Sequence, residues 1–523
     1  MPVASHEAGG QTIWSLLEQS IARWPDTKLV FSTSGEEHVR SFAELRADAL
    51  RLAEGLRRRG LKQGDIVVVQ LPHCPENLVT FLACMAAGLV FVPVVHNYGP
   101  AEIGFMLRQT GAKLLIMPAR WHNFDYPARA RALAEIDTLQ CIAFTGEAVP
   151  AVDKALAWSS LLADQPLSDV AAVDLRSPCM IIYTSGTTSV PKGAMHCHAS
   201  LIAEAEQTSC YIDMLTHKTM LQSAPAGHIG PISSILRQMI FGFDIVYLDR
   251  WETEVGVDLI RRYDIGWSIG VPIYLNAVLP AKKAGTLPSF DTFMVGGTNV
   301  PPALVEEADR AGIRASRSYG STEHPTVTQG KPVEPLAKRA RTDGSLMPGC
   351  GVRLLDDDDR DVAQGEPGEI VTSGGELFLG YFDASLNATA FTADGWYRTG
   401  DIGVMDEDGF LKVVDRKKDI IIRGGENISS KEVEDALAHH PAVLEAAAVG
   451  WPDERMGEKV GAFVRLREGA HIDMAEVQRH FKDIGMARIK TPEHLVVVDE
   501  FPRNPSGKIL KTELRARARA AGA

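Results

Sequence analysis

The chain is 523 residues long, 45% hydrophobic and 23% charged, with a formal net charge of −13. That length accommodates roughly two to four domains with cores of their own. The composition is that of a soluble globular protein, and the acidic balance argues against a nucleic-acid surface or an anionic membrane as the main partner. The seven cysteines (74, 84, 141, 179, 197, 210 and 350) are odd in number and include no C-x-x-C, which favours reduced thiols in a cytoplasmic protein over a disulfide framework. Residues 1–7 carry no charged-then-apolar signal pattern. The longest apolar stretch, 78–95, is interrupted by Gly88 and Pro93, so it reads as a buried helix and a strand and not as a membrane span.

The N-terminal region opens with a helical pattern at Ile13, Leu16, Leu17 and Ile21, then a strand pair near residues 29–31 and 38–39. Ser41 and Glu44 form a capping box that starts a helix rich in Ala, Leu and Arg. The run 66–71 is apolar apart from Gln70, the signature of a strand buried on both faces. Helix and strand signals then alternate to about residue 300, with strands expected at 90–95, 114–117, 140–144, 180–184, 244–248, 267–270 and 292–295. Such alternation predicts βαβ units and parallel sheets covered by helices. After about residue 340 short strands with Gly/Asp turns (351–355, 368–373, 409–414) predict a β-rich subdomain, with the acidic run 356–359 as a solvated hairpin tip. The charge cluster 414–419 marks a boundary before a final α+β domain of about 100 residues. Residues 514–519 read as a helical or frayed basic tail.

Between Ile181 and Gly193 a β-branched run enters a loop of Thr184, Ser185, Gly186, Thr187, Thr188 and Ser189 that ends on Lys192. Hydroxyls and bare N–H groups surround phosphate oxygens well, and the lysine adds a mobile charge. It is not a Walker A loop, because Pro191 stands where glycine is needed and Gly193 where Ser or Thr is needed. Further groups follow in order. His228 lies in a Gly/Pro-rich loop, Gly297 and Thr298 follow an expected strand, and Tyr319, Gly320, Thr322 and Glu323 supply an aromatic face, a hydroxyl and a carboxylate. Asp401 follows a tight glycine turn, Arg416 and Lys418 occupy the boundary segment, and Lys508 lies near the C-terminus. Each alone is weak, since a lone loop histidine is more often structural and a Gly-Asp pair is usually a turn. Together they are the parts an adenylating site needs: a base-stacking ring, a carboxylate for a ribose diol, another for Mg²⁺, and cations for phosphate charge. His196-Cys197-His198 does not point three ligands one way at helical spacing and reads as structural.

In this order the motifs resemble the adenylate-forming, AMP-binding enzymes, a family that includes acyl-CoA synthetases, aryl-CoA ligases, firefly luciferase and peptide-synthetase adenylation domains. The chain is most similar to the branch of medium-chain, alicyclic or aryl acid CoA ligases. The resemblance implies an α/β fold with a large N-terminal domain of stacked αβ layers plus a β subdomain (1–415), a hinge (416–419) and a small mobile α+β C-terminal domain (420–523). It implies ATP, Mg²⁺ and coenzyme A as cofactors and substrates. Thr184, Ser185, Gly186, Thr187, Thr188 and Lys192 would surround the β- and γ-phosphates, with Thr184 and Glu323 toward Mg²⁺. Gly297, Thr298, Tyr319 and Gly320 would line the adenine cleft, and Thr322 would touch the α-phosphate. Asp401 and Arg416 would hold the ribose, and Lys508 would sit between substrate carboxylate and α-phosphate. His228 would gate the acyl pocket, Lys418 would be the pivot, and Gly425 would belong to a wall of the pantetheine tunnel.

Two positions depart from the family pattern. Ser189 replaces a common glycine, which a small polar residue tolerates, and Asn427 takes no nucleotide role. The implied reaction joins a carboxylic acid to AMP and then to a thiol, with a carrier-protein phosphopantetheine or a luciferase-like oxygenation as alternative outcomes. The acid pocket is expected from Ile229, Pro231, Ile232, residues 271–274, His324 and Pro325. That apolar lining favours a medium aliphatic, alicyclic or aromatic acid. A homodimer is the base-rate expectation.

Overall fold

The computed structural model describes residues 10–146, 148–184, 191–212, 215, 218–424, 426–503 and 508–522. Two large sheets dominate the N-terminal part. One has eight strands, in the order Gly380–Tyr381, Lys192–Cys197, Pro178–Thr184, Val90–Pro93, Ile66–Val69, Leu114–Pro118, Cys141–Thr145 and Ala155–Ala157. The other has nine and runs from Ser345–Leu346 through Thr328–Gln329, Arg314–Tyr319, Thr292–Val295, Ile265–Gly270, Thr219–Gln222 and Ile245–Leu248 to Leu29–Thr33 and Glu36–Arg40. Their inner strands are parallel, as the alternating pattern predicts. Antiparallel pairs lie toward the outside: Lys192–Cys197 folds back on Pro178–Thr184, and Glu36–Arg40 on Leu29–Thr33. Hairpins are local, so they close sheet edges that a crossover helix would otherwise leave open.

One core joins the two sheets. Val67, Phe91 and Ile182 from the first and Phe31, Tyr247 and Trp267 from the second meet buried faces of the helices Ile13–Arg23, Phe42–Arg58, Pro75–Ala87 and Ile229–Phe241. The predicted capping box is formed: Glu44 N–H donates to Ser41 Oγ at 3.3 Å and Ser41 N–H to Glu44 Oε2 at 2.7 Å. The apolar stretch beginning at Leu78 is a helix ended by Gly88 in the left-handed conformation (φ 67°), followed by a strand. Among the described residues no helix is long and apolar enough to cross a membrane.

A four-stranded antiparallel sheet follows, built from Gly351–Leu355, Gly368–Ser373, Tyr397–Met405 and Leu411–Arg416. The last strand begins two residues later than expected, because Gly409 (φ 80°) belongs to the turn and not to the ladder. Asp356–Asp359 is a hairpin tip whose charges are paired outward, as with Asp359 and Arg398 at 2.6 Å. Beyond residue 420 a separate five-stranded sheet carries the helices Ser430–Ala438, Met474–Asp483 and Lys511–Gly522. The basic tail is therefore not frayed. Leu514 and Ala518, one turn apart, are fully buried against Val449, Trp451 and Phe463, while Arg515 pairs with Asp419. The cysteines are free thiols. His196 and His198 turn to different partners, the Thr322 carbonyl (2.8 Å) and the Ile13 N–H (3.2 Å), so the His-Cys-His run is structural as expected.

Docking of the tail has a measurable consequence. Leu514→Ala leaves a cavity under the C-terminal sheet and should destabilise that domain by about 2–5 kcal/mol. Hydrogen exchange should accelerate in Val443–Asp453, and unchanged protection there would contradict the packing.

Candidate active site

The strand Arg314–Tyr319 ends at the carboxyl edge of the parallel run, where open α/β sheets place their ligand crevices. The loop after it doubles back: Ser321 N–H donates to the His324 carbonyl (2.8 Å) and Val327 N–H to the Tyr319 carbonyl (3.0 Å). Gly320 is obligatory in this turn, since a Cβ would lie 1.9 Å from the Pro325 carbonyl oxygen. Gly296 is similarly tight against Ser318 Oγ, and Gly297 takes a φ of 76° beside Thr298.

The Tyr319 hydroxyl donates to Asp401 Oδ2 at 2.8 Å, and Arg416 Nε lies 3.2 Å from Asp401 Oδ1. Asp401 and Arg416 face each other across adjacent antiparallel strands, so sheet register alone places the acid opposite its cation. Burial raises the pKa of Asp401 despite Arg416, and burial followed by the Asp401 charge raises that of Tyr319 well above the ordinary phenol.

Glu323 is buried, and its Oε1 accepts the Tyr381 hydroxyl at 2.7 Å. Lys192 Nζ lies over the Tyr381 ring, 5.2 Å from its centre. The lysine reaches this point because Thr184 and Lys192 are paired at the mouth of their hairpin, with Thr184 Oγ1 donating to the Lys192 carbonyl at 3.4 Å. Ser185, Gly186, Thr187, Thr188 and Ser189, and Gly425 elsewhere, lie outside the described residues. Tyr381 was not singled out in the sequence. Only its short strand beside Lys192–Cys197 brings it to the site, and that pairing has no local signature.

His228 caps the helix Ile229–Phe241, and its loop sits directly on the end of the strand Val90–Pro93: a Cβ at Gly227 would meet Val95 N at 2.3 Å. Lys508 comes from the far end of the chain yet enters the same field. The residue is exposed overall, but the protein mass around it and the Arg416 charge lower its pKa to about 8, against the opposing pull of Asp401 and Glu323. Burial and then Lys508 lower His228 to about 4, so its imidazole is neutral at physiological pH. The geometry thus brings together Tyr319, Glu323, Asp401, Arg416, Lys508 and His228. Lys418, whose pKa falls to about 8 through burial and Arg416, borders this cluster.

The expected acid pocket needs correction. His324 is almost fully buried, with its ring turned away to Thr372 and Glu376, so it cannot line that pocket. Ile273 is 65% exposed, and Tyr274 is stacked on Trp251. Pro231 and Ile232 do line an apolar cavity with Phe31, Ile235 and Tyr247, but its volume is about 20 Å³, room for one water.

Comparison with known proteins agrees with this architecture. Residues 17–382 match the AMP-binding enzyme family, and residues 432–508 its C-terminal domain. The chain belongs to that family. It is 31% identical to the medium-chain fatty-acid–CoA ligase of Escherichia coli K12, over 97% of this chain and 90% of that protein. It is 33% identical to a feruloyl-CoA synthase of Amycolatopsis, over 91% and 94%. The o-succinylbenzoate CoA synthetase of Bacillus subtilis in complex with its acyl-adenylate superposes with a TM-score of 0.82 at 26% identity, covering 97% and 98% of the two chains. Within the family, this chain is an AMP-forming acyl-CoA synthetase that works through an acyl-adenylate.

The turn at Gly320 gives a sharp test. Gly320→Ala must displace the Pro325 carbonyl and with it the Tyr319–Glu323 loop. ATP–pyrophosphate exchange should fall at least tenfold, and the melting temperature should fall as well because the clash is with backbone.

Proposed function

We propose that the protein activates a medium-chain, alicyclic or aromatic carboxylic acid with ATP and transfers the acyl group to coenzyme A, and that the residues gathered above divide the work. The carrying observation is that Asp401, bonded to Tyr319 and paired with Arg416, stands in the same electrostatic field as Lys508. In this reading Tyr319, Gly320, Gly297 and Thr298 hold the adenine, and Asp401 with Arg416 the ribose hydroxyls. The Thr184–Lys192 loop holds the β- and γ-phosphates, and Thr322 the α-phosphate. The substrate carboxylate attacks the α-phosphorus in line, and pyrophosphate departs. Lys508 as a cation neutralises charge on the entering carboxylate and the α-phosphate, which falls most strongly on the transition state. Neutral His228 lets the carboxylate approach without competing for it as an ion pair.

Glu323 suits a divalent cation: its carboxylate meets the Tyr381 phenol through one oxygen, which leaves it acceptor sites for a metal. With the Thr184 hydroxyl it would hold Mg²⁺, which when bound supplies charge neutralisation to the phosphates. The acid class is supported by relatives named for medium-chain and aromatic acids.

Thiolysis calls for a different arrangement, and Lys418 is the proposed pivot. Residues on either side of it are tied down: Lys417 N–H donates to the Gly400 carbonyl at 2.9 Å and Arg416 pairs with Asp401, while Asp419 pairs with Arg515 on the C-terminal helix. Rotation there would withdraw Lys508 and bring the 421–427 segment, with Gly425, to a pantetheine tunnel.

A panel of carboxylic acids assayed for AMP release with and without coenzyme A tests the substrate class; a preference for acetate or polyacids would contradict it. Lys508→Ala should lower pyrophosphate release at least a hundredfold yet spare thiolysis of preformed acyl-adenylate, and equal loss of both would refute the role. The lysine must be protonated to act, so kcat/KM for adenylation should decline as pH rises through about 8. Bound phosphates favour the charged form, which moves the same limb in kcat to higher pH. Lys508→Arg should remove the limb.

A further inference from the structure

Behind the Tyr319–Glu323 loop lies a buried polar group with no part in the reaction just described. With His324 Nε2–H donating to Glu376 Oε1 at 2.6 Å, Nδ1 is left to accept the Thr372 hydroxyl 2.7 Å away. Cys350 Sγ lies 2.6 Å from the same Oε1, and Gln207 bridges Glu376 to Glu204, which pairs with Arg237 at 2.5 Å. Apart from Cys350, which is half-buried, all of these side chains are buried. Gly374 leaves the space the imidazole needs, since a Cβ there would stand 3.0 Å from His324 Nε2 and 2.8 Å from Glu376 Oε2. A metal ion does not account for the cluster, because histidine and cysteine converge on a single oxygen at hydrogen-bond distance instead of spreading around a centre.

The arrangement grips one short segment twice. His324 holds Glu376 through its ring, and the preceding residue, Glu323, accepts the Phe378 N–H on its carbonyl at 2.9 Å. On the other side the His196 ring meets the Thr322 carbonyl at 2.8 Å. Glu323 has few other constraints: its carboxylate is held by one phenol, and a glutamate side chain has rotamer freedom to lose. A carboxylate that must meet a cation within a fraction of an ångström needs its backbone fixed from behind, and outer partners of this kind usually change affinity or rate 10–100-fold when removed.

We propose that His324, clasped between Thr372 and Glu376, is a positioning residue that fixes Glu323 for its divalent cation and the ATP phosphates. The proposal rests on the assignment of Glu323 given above. It is tested by calorimetric titration of the full-length protein with ATP, with and without Mg²⁺, alongside ATP–pyrophosphate exchange. In His324→Ala the extra affinity conferred by Mg²⁺ should shrink about tenfold while ATP affinity without Mg²⁺ is unchanged, and kcat should fall 10–100-fold. His324→Gln, which can still span both partners, should recover most of the loss. If His324→Ala does not fold, Thr372→Val removes only one clasp and should show the same pattern at a smaller size. Wild-type Mg²⁺ dependence in a folded variant, or stoichiometric zinc in the purified protein, would overturn the proposal. Glu323→Gln is the reference: if it too keeps the Mg²⁺ increment, the fault lies in the assignment of Glu323 and not in its support.

Discussion

One carboxylate, Asp401, connects the three parts of this molecule. It accepts a hydrogen bond from Tyr319, at the edge of the nine-stranded sheet, and faces Arg416 on the neighbouring strand of the four-stranded sheet. It also stabilises the charge of Lys508, which arrives from the C-terminal domain. Burial raises the pKa of this acid, and Arg416 and Tyr319 both act against that, each pulling it down. The same low-dielectric surroundings depress Lys508 toward neutrality. Asp401 is thus raised and Lys508 lowered in the same surroundings, each with the other's charge opposing the shift.

Much of the large domain was legible because its signals are local. The run Ile66–Val69 announces a strand buried on both faces, Ser41 and Glu44 announce a helix start, and Gly88 announces a helix end. Tyr319, Glu323, Asp401, Arg416 and Lys508 were found through their order along the chain. Their proximity was not deducible from it, since nearly 200 residues separate Tyr319 from Lys508. What local pattern could not supply was direction. His324 follows Glu323 and was assigned to the substrate pocket, but in a tight turn successive side chains leave on opposite sides, and buried Glu376 and Thr372 offered its ring two hydrogen bonds. Tyr381 carried no signal because its role comes from a two-residue strand paired to a distant hairpin.

The C-terminal tail shows a further limit. Arginines at 515, 517 and 519 make the segment look solvated, and the two apolar residues that seat it, Leu514 and Ala518, are too few to read as a stripe. Their four-residue spacing nonetheless places both on one face, and Arg515 between them reaches Asp419. Basic character here ties the helix to the body of the protein and does not advertise an external partner.

That seating carries a consequence for the direction of the reaction. Lys508 lies six residues before Leu514, so it is joined by a short link to a helix seated on the C-terminal sheet through Leu514 and Ala518. In the proposed reading, a turn of that domain about Lys418 would carry the lysine away with it. The group that would help pyrophosphate re-enter and reverse the first step is then absent while the second proceeds. The fold would thereby act as a ratchet, coupling the loss of one catalyst to the arrival of the next nucleophile without any separate signal.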